Sequence, residues 1–192
     1  MRLFLIRHGF AYHNLAALKM GEVAYTNPKY KDALLTPTGV IQTINAGKIL
    51  KHLQFTHIYS SPSTRCIQTC DNILKSNKYN NLISLDDRLL EEQGYHICNE
   101  RKSKPELEKY LSQNYDHNFD LINVSLNYDF NKESNDKIKK RVNKFISELS
   151  QKYDDDDDIL IITHYVWLYN FFKITTGSSY EFENAEIKIV YL

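Results

Sequence analysis

Short apolar runs and longer amphipathic stretches alternate along the chain. Residues 3–6, 57–59, 159–162 and 187–192 are apolar runs of strand length. Between the first two, residues 37–53 carry Val40, Ile41, Ile44, Ile49, Leu50 and Leu53 largely on one helical face. Thr36 is placed to cap that helix, with Pro37 at its first turn. Residues 64–74 predict a second helix, and Ile138, Val142, Phe145, Ile146 and Leu149 mark another ahead of the third apolar run. Strand and helix in alternation predict an α/β fold: a three-layer α/β/α sandwich around a mainly parallel sheet, with its ligand site beyond the carboxyl ends of the strands. Residues 94–132 have poor periodicity apart from a helix near 105–111. Within a single domain over 1–192, they are expected to form an excursion or cap over the site. Substrate choice is expected there and in the loop at 16–33.

A chain of 192 residues can bury a substantial core in one domain. Lys plus Arg and Asp plus Glu each number 24, so no global field favours nucleic acid or an anionic membrane, and any anion site must be local. No run has the roughly 18 apolar residues of a membrane helix, and the opening run is too short for a secretion signal, so a soluble, cytoplasmic protein is expected. Cys66, Cys70 and Cys98 are odd in number and are expected to be reduced thiols. The acidic run at 154–158 lacks the spaced ligands and glycine of a calcium loop and predicts a solvated turn. His52, His57, His96 and His117 have no partners at metal-ligand spacing, so neither a metal nor another cofactor is expected.

Three apolar runs end in residues suited to phosphate. The first leads into Arg7 and His8, the second into residues 60–65 ending at Arg65, and the third into Thr163 and His164. In a parallel sheet these ends share one edge, so two arginines and two histidines become neighbours and call for an anion. Guanidinium groups grip phosphate oxygens with paired hydrogen bonds, and a neutral imidazole can attack phosphorus without a metal. Gly9 would allow a sharp turn and a close substrate, Asn14 would add an uncharged donor, and His13 falls beside the same pocket.

With these residues in view, the chain resembles the histidine phosphatase superfamily, also called the phosphoglycerate mutase-like family. Arg7-His8-Gly9 followed by Asn14 is similar to its opening motif. Leu35-Thr36-Pro37-Thr38-Gly39-Val40-Ile41-Gln42 looks like its Leu-Thr-x-x-Gly-x-x-Gln helix start. Residues 60–69 resemble its Ser-Ser-Pro-x-x-Arg-x-x-Gln-Thr segment, and Asp87-Arg88-Leu89-Leu90-Glu91 the stretch holding its acidic residue. Ile161-Ile162-Thr163-His164 resembles the strand ending in its second histidine, and Asn184-Ala185 also matches. The resemblance implies a metal-independent phosphohydrolase acting on a phosphomonoester through a phosphohistidine on His8. Arg7, Asn14 and Arg65 would bind the phosphoryl oxygens, His164 would bind and stabilise the transferring group, and Glu91 would be the general acid and base. The partner implied is a phosphorylated small molecule or a phosphopeptide.

The sequence also departs from the family. Tyr165 follows His164 where Gly is common, and Glu91 and Glu92 are adjacent candidates for the acid, with Glu91 preferred by its register with Leu89. Gln42 and Asn184 read as structural. Arg101, Lys102 and Lys104 are expected to reach a second anionic group on the substrate. Two alternatives stand beside the phosphatase reading. One is mutase-type phosphotransfer, which lacks the Arg-His-Tyr-Gly usual after the glutamate; the other is a catalytically weak phosphate-binding protein blocked by Tyr165.

Overall fold

In the computed structural model, which describes residues 1–77 and 82–192, the opening apolar run forms β1 (Arg2–Arg7). There follow α1 (Tyr12–Met20), the short α2 (Val23–Thr26), α3 (Pro37–Ile49), β2 (His57–Ser60), α4 (Thr64–Lys75), β3 (Ile83–Asp86) and α5 (Lys104–Asn114). The remainder comprises β4 (Phe119–Asn123), α6 (Asn135–Lys152), β5 (Asp158–Thr163), α7 (Tyr165–Thr176) and β6 (Ile187–Tyr191). The strands form one six-stranded sheet in the order β4-β3-β2-β5-β1-β6. All neighbours pair in parallel except β6, which runs antiparallel along β1.

Alternate strand residues divide between two cores because successive side chains leave opposite faces of a sheet. Phe4, Ile6, Ile58, Leu160 and Ile162 pack with α3, α4 and α5 through residues such as Ala46, Ile67, Ile73 and Leu107. Leu3, Leu5, Tyr59, Ile159 and Ile161 pack on the other face against Ile138, Val142 and Phe145 of α6 and Trp167 and Phe171 of α7. This is the three-layer sandwich that the alternation predicts.

Helix α3 is capped as expected, with the Thr36 hydroxyl accepting the Gly39 N–H at 3.1 Å, but its buried face differs in part. Ile41 and Ile49 are exposed, and the inward residues are Gly39, Thr43, Ala46 and Gly47. Small residues win because α3 lies almost against its neighbours: a Cβ on Gly47 would meet Ser76 Cβ at 2.8 Å and Ile73 Cα at 3.0 Å. Apolar spacing predicted the helix, the burial of Leu50 and the packing of Leu53 correctly, and placed Ile41 and Ile49 inward wrongly.

Within 94–132, α5 packs Leu107 and Leu111 into the core, and β4 pairs with β3 as the sheet's edge. That part of the expected excursion is therefore sheet and covering helix. Residues 154–157 form a turn tied by Asp154 N–H to Asp157 Oδ2 at 2.8 Å, leading into β5. Cys66, Cys70 and Cys98 are buried free thiols. Among the described residues no helix is long and apolar enough to cross a membrane.

Strands β2, β5 and β1 are neighbours, in register Ser60 to Ile162 and Arg7 to Thr163. Their carboxyl ends therefore deliver Ser61–Arg65, His164 and His8 to one place.

Candidate active site

His8 follows β1 directly and is held by its own backbone. Its N–H donates to the Thr163 carbonyl at 3.0 Å, and its carbonyl accepts from the Asn184 side chain at 3.0 Å. The next two N–H groups are also fixed, Gly9 to Thr69 Oγ1 at 3.1 Å and Phe10 to Gln42 Oε1 at 2.9 Å. Gln42 and Asn184 thus hold the His8–Phe10 loop. The Gly9 carbonyl lies 2.8 Å from His8 Nδ1. A carbonyl only accepts, so the proton belongs on Nδ1 and Nε2 keeps its lone pair. Burial and the nearby Arg65 and Arg7 hold the His8 pKa well below that of an ordinary histidine, so the ring is neutral.

The glycine after His8 serves packing more than the substrate approach the sequence suggested. A Cβ there would stand 2.8 Å from the Gly39 carbonyl and 2.6 Å from Thr43 Cγ2, so α3 occupies that space. Gly39 reciprocates, because its own Cβ would come 2.1 Å from the Phe10 carbonyl oxygen.

Arg65 is buried, with Nη1 donating to the Cys98 carbonyl at 2.8 Å and Nη2 to Asn99 Oδ1 at 3.0 Å. Arg7 donates from Nη1 to the Phe182 carbonyl at 2.5 Å. The Nε–H of each arginine is buried with no partner among the described residues. Such donors are costly unless a ligand accepts them, and both side chains line one cleft of about 170 Å³ with His8 and Asn14. Asn14 turns its Oδ1 to the Ala11 N–H at 3.0 Å, which leaves its amide N–H groups as the donors for a ligand.

Glu91 lines the same cleft. Its carboxylate accepts the Val166 N–H at the start of α7 at 3.1 Å and the Glu92 N–H at 3.1 Å. Burial raises its pKa, against those hydrogen bonds and the two arginines, which act to lower it. His164 is fully buried behind this surface, its ring centroid 5.2 Å from that of His8. Arg65 Nη2 donates to its Nδ1 at 3.1 Å, so Nε2 carries the proton and donates to Ser61 Oγ at 2.8 Å. His164 therefore touches Arg65 and the His8 ring, and it does not line the cleft.

Residues 3–187 match the family described as the histidine phosphatase superfamily (branch 1). The chain belongs to that superfamily. Fructose-2,6-bisphosphatase TIGAR B of Danio rerio is 33% identical over 100 residues, 52% of this chain and 36% of the relative. A broad-specificity phosphatase of Saccharomyces cerevisiae is 34% identical over 84 residues, 43% of this chain and 33% of its own. The matched segments thus span about a third of the length of these curated relatives. Among solved structures, phosphoglycerate mutase from Bacillus anthracis superposes with a TM-score of 0.68 at 20% identity, covering 98% of this chain and 86% of its own. The silkworm ecdysone phosphate phosphatase in complex with tungstate also gives 0.68, at 16% identity over 98% and 88% of the two chains. These likenesses show that the fold is shared.

In this histidine phosphatase superfamily member the remaining expectations divide. Arg101, Lys102 and Lys104 do not reach the cleft. Arg101 pairs with Asp87 at 2.7 Å under the Tyr128 ring, Lys102 with Asp32 at 2.7 Å, and Lys104 donates to the Leu121 carbonyl at 2.9 Å. Fold-internal acceptors claim all three before a substrate can. Tyr165 stands in the cleft wall with its ring 5.1 Å from the Arg7 guanidinium. Sequence reasoning missed Tyr25, His96, Cys98 and Asn99, which complete the walls from a short helix and a 3₁₀ turn. His13, buried with Nδ1 unpartnered among the described residues, lies with its ring centroid 5.7 Å from that of His8.

Proposed function

We propose that the protein is a metal-independent phosphomonoesterase that carries the phosphoryl group on His8 Nε2. The neutral imidazole attacks phosphorus, and the new P–N bond forms as the ester P–O bond breaks. The departing oxygen takes the proton of Glu91, whose raised pKa favours the protonated acid. Water then gives its proton to the Glu91 carboxylate and attacks phosphorus, releasing inorganic phosphate and restoring His8. Arg7, Arg65 and Asn14 supply fixed donors to the phosphoryl oxygens throughout, so the positive charge that this transfer needs comes from the chain itself. His164 acts by holding Arg65 and by bracing the ring of His8. Substrates are phosphorylated small molecules or phosphopeptides presenting a terminal phosphate.

One observation carries the reading: a buried, neutral imidazole with its proton fixed on Nδ1, beside two arginines that each bury an unpartnered N–H. The test is hydrolysis of p-nitrophenyl phosphate by the parent and His8→Ala, with mass spectrometry for an acid-labile phosphoprotein. His8→Ala is expected to lose turnover and labelling together. Equal turnover in the two proteins would overturn the proposal.

A further inference from the structure

His13 stands on α1 one residue before Asn14, and the chemistry proposed above gives its buried side chain no task. It lines the cleft, with its ring centroid 5.7 Å from that of His8 and 5.9 Å from that of Tyr25, which is itself 5.2 Å from that of His96. The two nitrogens of the ring have different surroundings. Nδ1 is buried with no partner among the described residues. Nε2 bonds to no described residue either, but it is not enclosed, so it is the nitrogen that opens on the cleft. Burial and the charges of Arg65 and Arg7 hold the His13 pKa well below the ordinary histidine value, so the ring is neutral and carries one proton. On Nδ1 that proton would be a donor stranded in the interior, the rarer kind of unpaired group in folded proteins. On Nε2 it meets water or a ligand.

Free donors are fewer in this cleft than its two arginines suggest. Arg65 gives three of its N–H groups to the Cys98 carbonyl, Asn99 Oδ1 and His164 Nδ1, and Arg7 gives one to the Phe182 carbonyl. A phosphoryl group brings several strong acceptor oxygens. The same two guanidinium charges bear on the His8 ring and on the His13 ring, so both imidazoles border the space where those cations would hold an anion. We infer that His13 is a further phosphate-binding residue, donating its Nε2–H to an oxygen of the phosphoryl group beside His8. This rests on the phosphatase reading for its ligand and adds to it a donor that orients the group without a third positive charge. The Tyr25 ring, in edge contact with His13, helps to fix the direction of that N–H.

The test is calorimetric titration of inorganic phosphate into the parent, H13F, H13N and H13Q, with urea midpoints as the control for folding. Gln can place an amide N–H near the position of Nε2, whereas Asn places one near Nδ1. H13F and H13N are expected to bind phosphate about 10–100-fold more weakly than the parent, as for one hydrogen bond to a charged group, and H13Q to stay close to the parent. Should H13F fail to fold, the contrast between H13N and H13Q decides. Parental affinity in H13F or H13N, an equal loss in H13N and H13Q, or a parent that binds no phosphate would overturn the assignment. Long-range ¹H–¹⁵N spectra add a readout that a packing role would not move. His13, assigned by its absence in H13Q, should be the Nε2–H tautomer, and that nitrogen should shift when phosphate is added. An Nδ1–H tautomer, an imidazolium, or a resonance indifferent to phosphate would also overturn it. Turnover of p-nitrophenyl phosphate is judged apart: a parent that binds phosphate through His13 yet releases none from the ester loses the phosphatase reading and keeps the phosphate contact.

Discussion

Whether a neighbouring carboxyl is needed depends on the leaving group, and that separates Glu91 from Glu92. In the proposed mechanism an alkoxide, a poor leaving group, takes Glu91's proton, whereas a nitrophenolate departs without one. Glu91→Gln is therefore expected to slow alkyl phosphate hydrolysis by about 10²–10⁴-fold and to affect p-nitrophenyl phosphate far less. Glu92→Gln, which removes a carboxyl not bonded to the α7 amide, should retain alkyl phosphatase activity. A larger loss in Glu92→Gln would transfer the acid role to it. The same groups set the pH profile. His8 must be neutral and its pKa is held well below the ordinary value, so the acid limb of kcat/KM should fall below the usual histidine range near about pH 6.5. Glu91 must be protonated to donate, and its pKa is raised, so kcat on alkyl esters should decline as pH rises through that raised value. An acid limb centred near an ordinary histidine would contradict the buried, arginine-flanked ring.

At the level of elements, the pairing of the His8–Phe10 loop with α3 is the contact most sensitive to a single atom. A methyl on Gly39 meets backbone on all sides, with Phe10 O at 2.1 Å and Phe10 N at 2.9 Å, so no side-chain rotation relieves it. Gly39→Ala is expected to destabilise the fold by about 1–3 kcal/mol in urea denaturation. It should also lower kcat, because relief requires the loop that carries His8 to leave α3. Unchanged stability and unchanged turnover would show that Gly39 does not abut the Phe10 backbone. Legibility followed the same physics. β1, β2, β5 and β6 were readable as dense apolar runs, and Arg7, His8, Arg65 and Glu91 as residues just beyond such runs or in familiar spacing. β3 is only four residues long and ends in Asp86, and β4 keeps half-exposed and exposed residues at the sheet edge, so neither stands out. α7 spreads aromatic residues over its inner and outer sides, including Tyr165, Trp167, Tyr169, Phe171 and Phe172, which blurs its polar face. Tyr25, His96 and Asn99 join the cleft through loop paths that no local pattern encodes. Arg101 and Lys102 were misread because their partners, Asp87 and Asp32, lie far away in sequence.

For the molecule as a whole, burying several neutral imidazoles makes stability depend on pH. His8, His13 and His164 all have pKa values held well below the ordinary histidine value by burial and arginine charge, and that of His57 falls to about 4. Between those lowered values and about pH 6.5 the unfolded chain binds protons that the folded chain refuses, so stability is greatest above that window and falls as pH drops through it. Each such histidine adds about 1.4 kcal/mol per pH unit to the slope, and Glu91, shifted the other way, offsets part of it. Urea midpoints measured from pH 7.5 to 5 should decline steeply, and His13→Phe should flatten the slope by one proton. A flat profile would mean that these rings titrate freely in the folded protein.

The sheet order carries a consequence for how the enzyme is made. β1 is synthesised first, yet its hydrogen-bonding neighbours are β5 and β6; Arg2 and its partner Asp158 are 156 positions apart. The N–H of His8 meets its acceptor only once Thr163 exists, and its carbonyl only once Asn184 does. Contacts of such separation form late and slowly. The ribosome therefore delivers His8 long before the residues that hold it, and a nascent chain carries it as an ordinary, protonatable side chain until Asn184 has emerged.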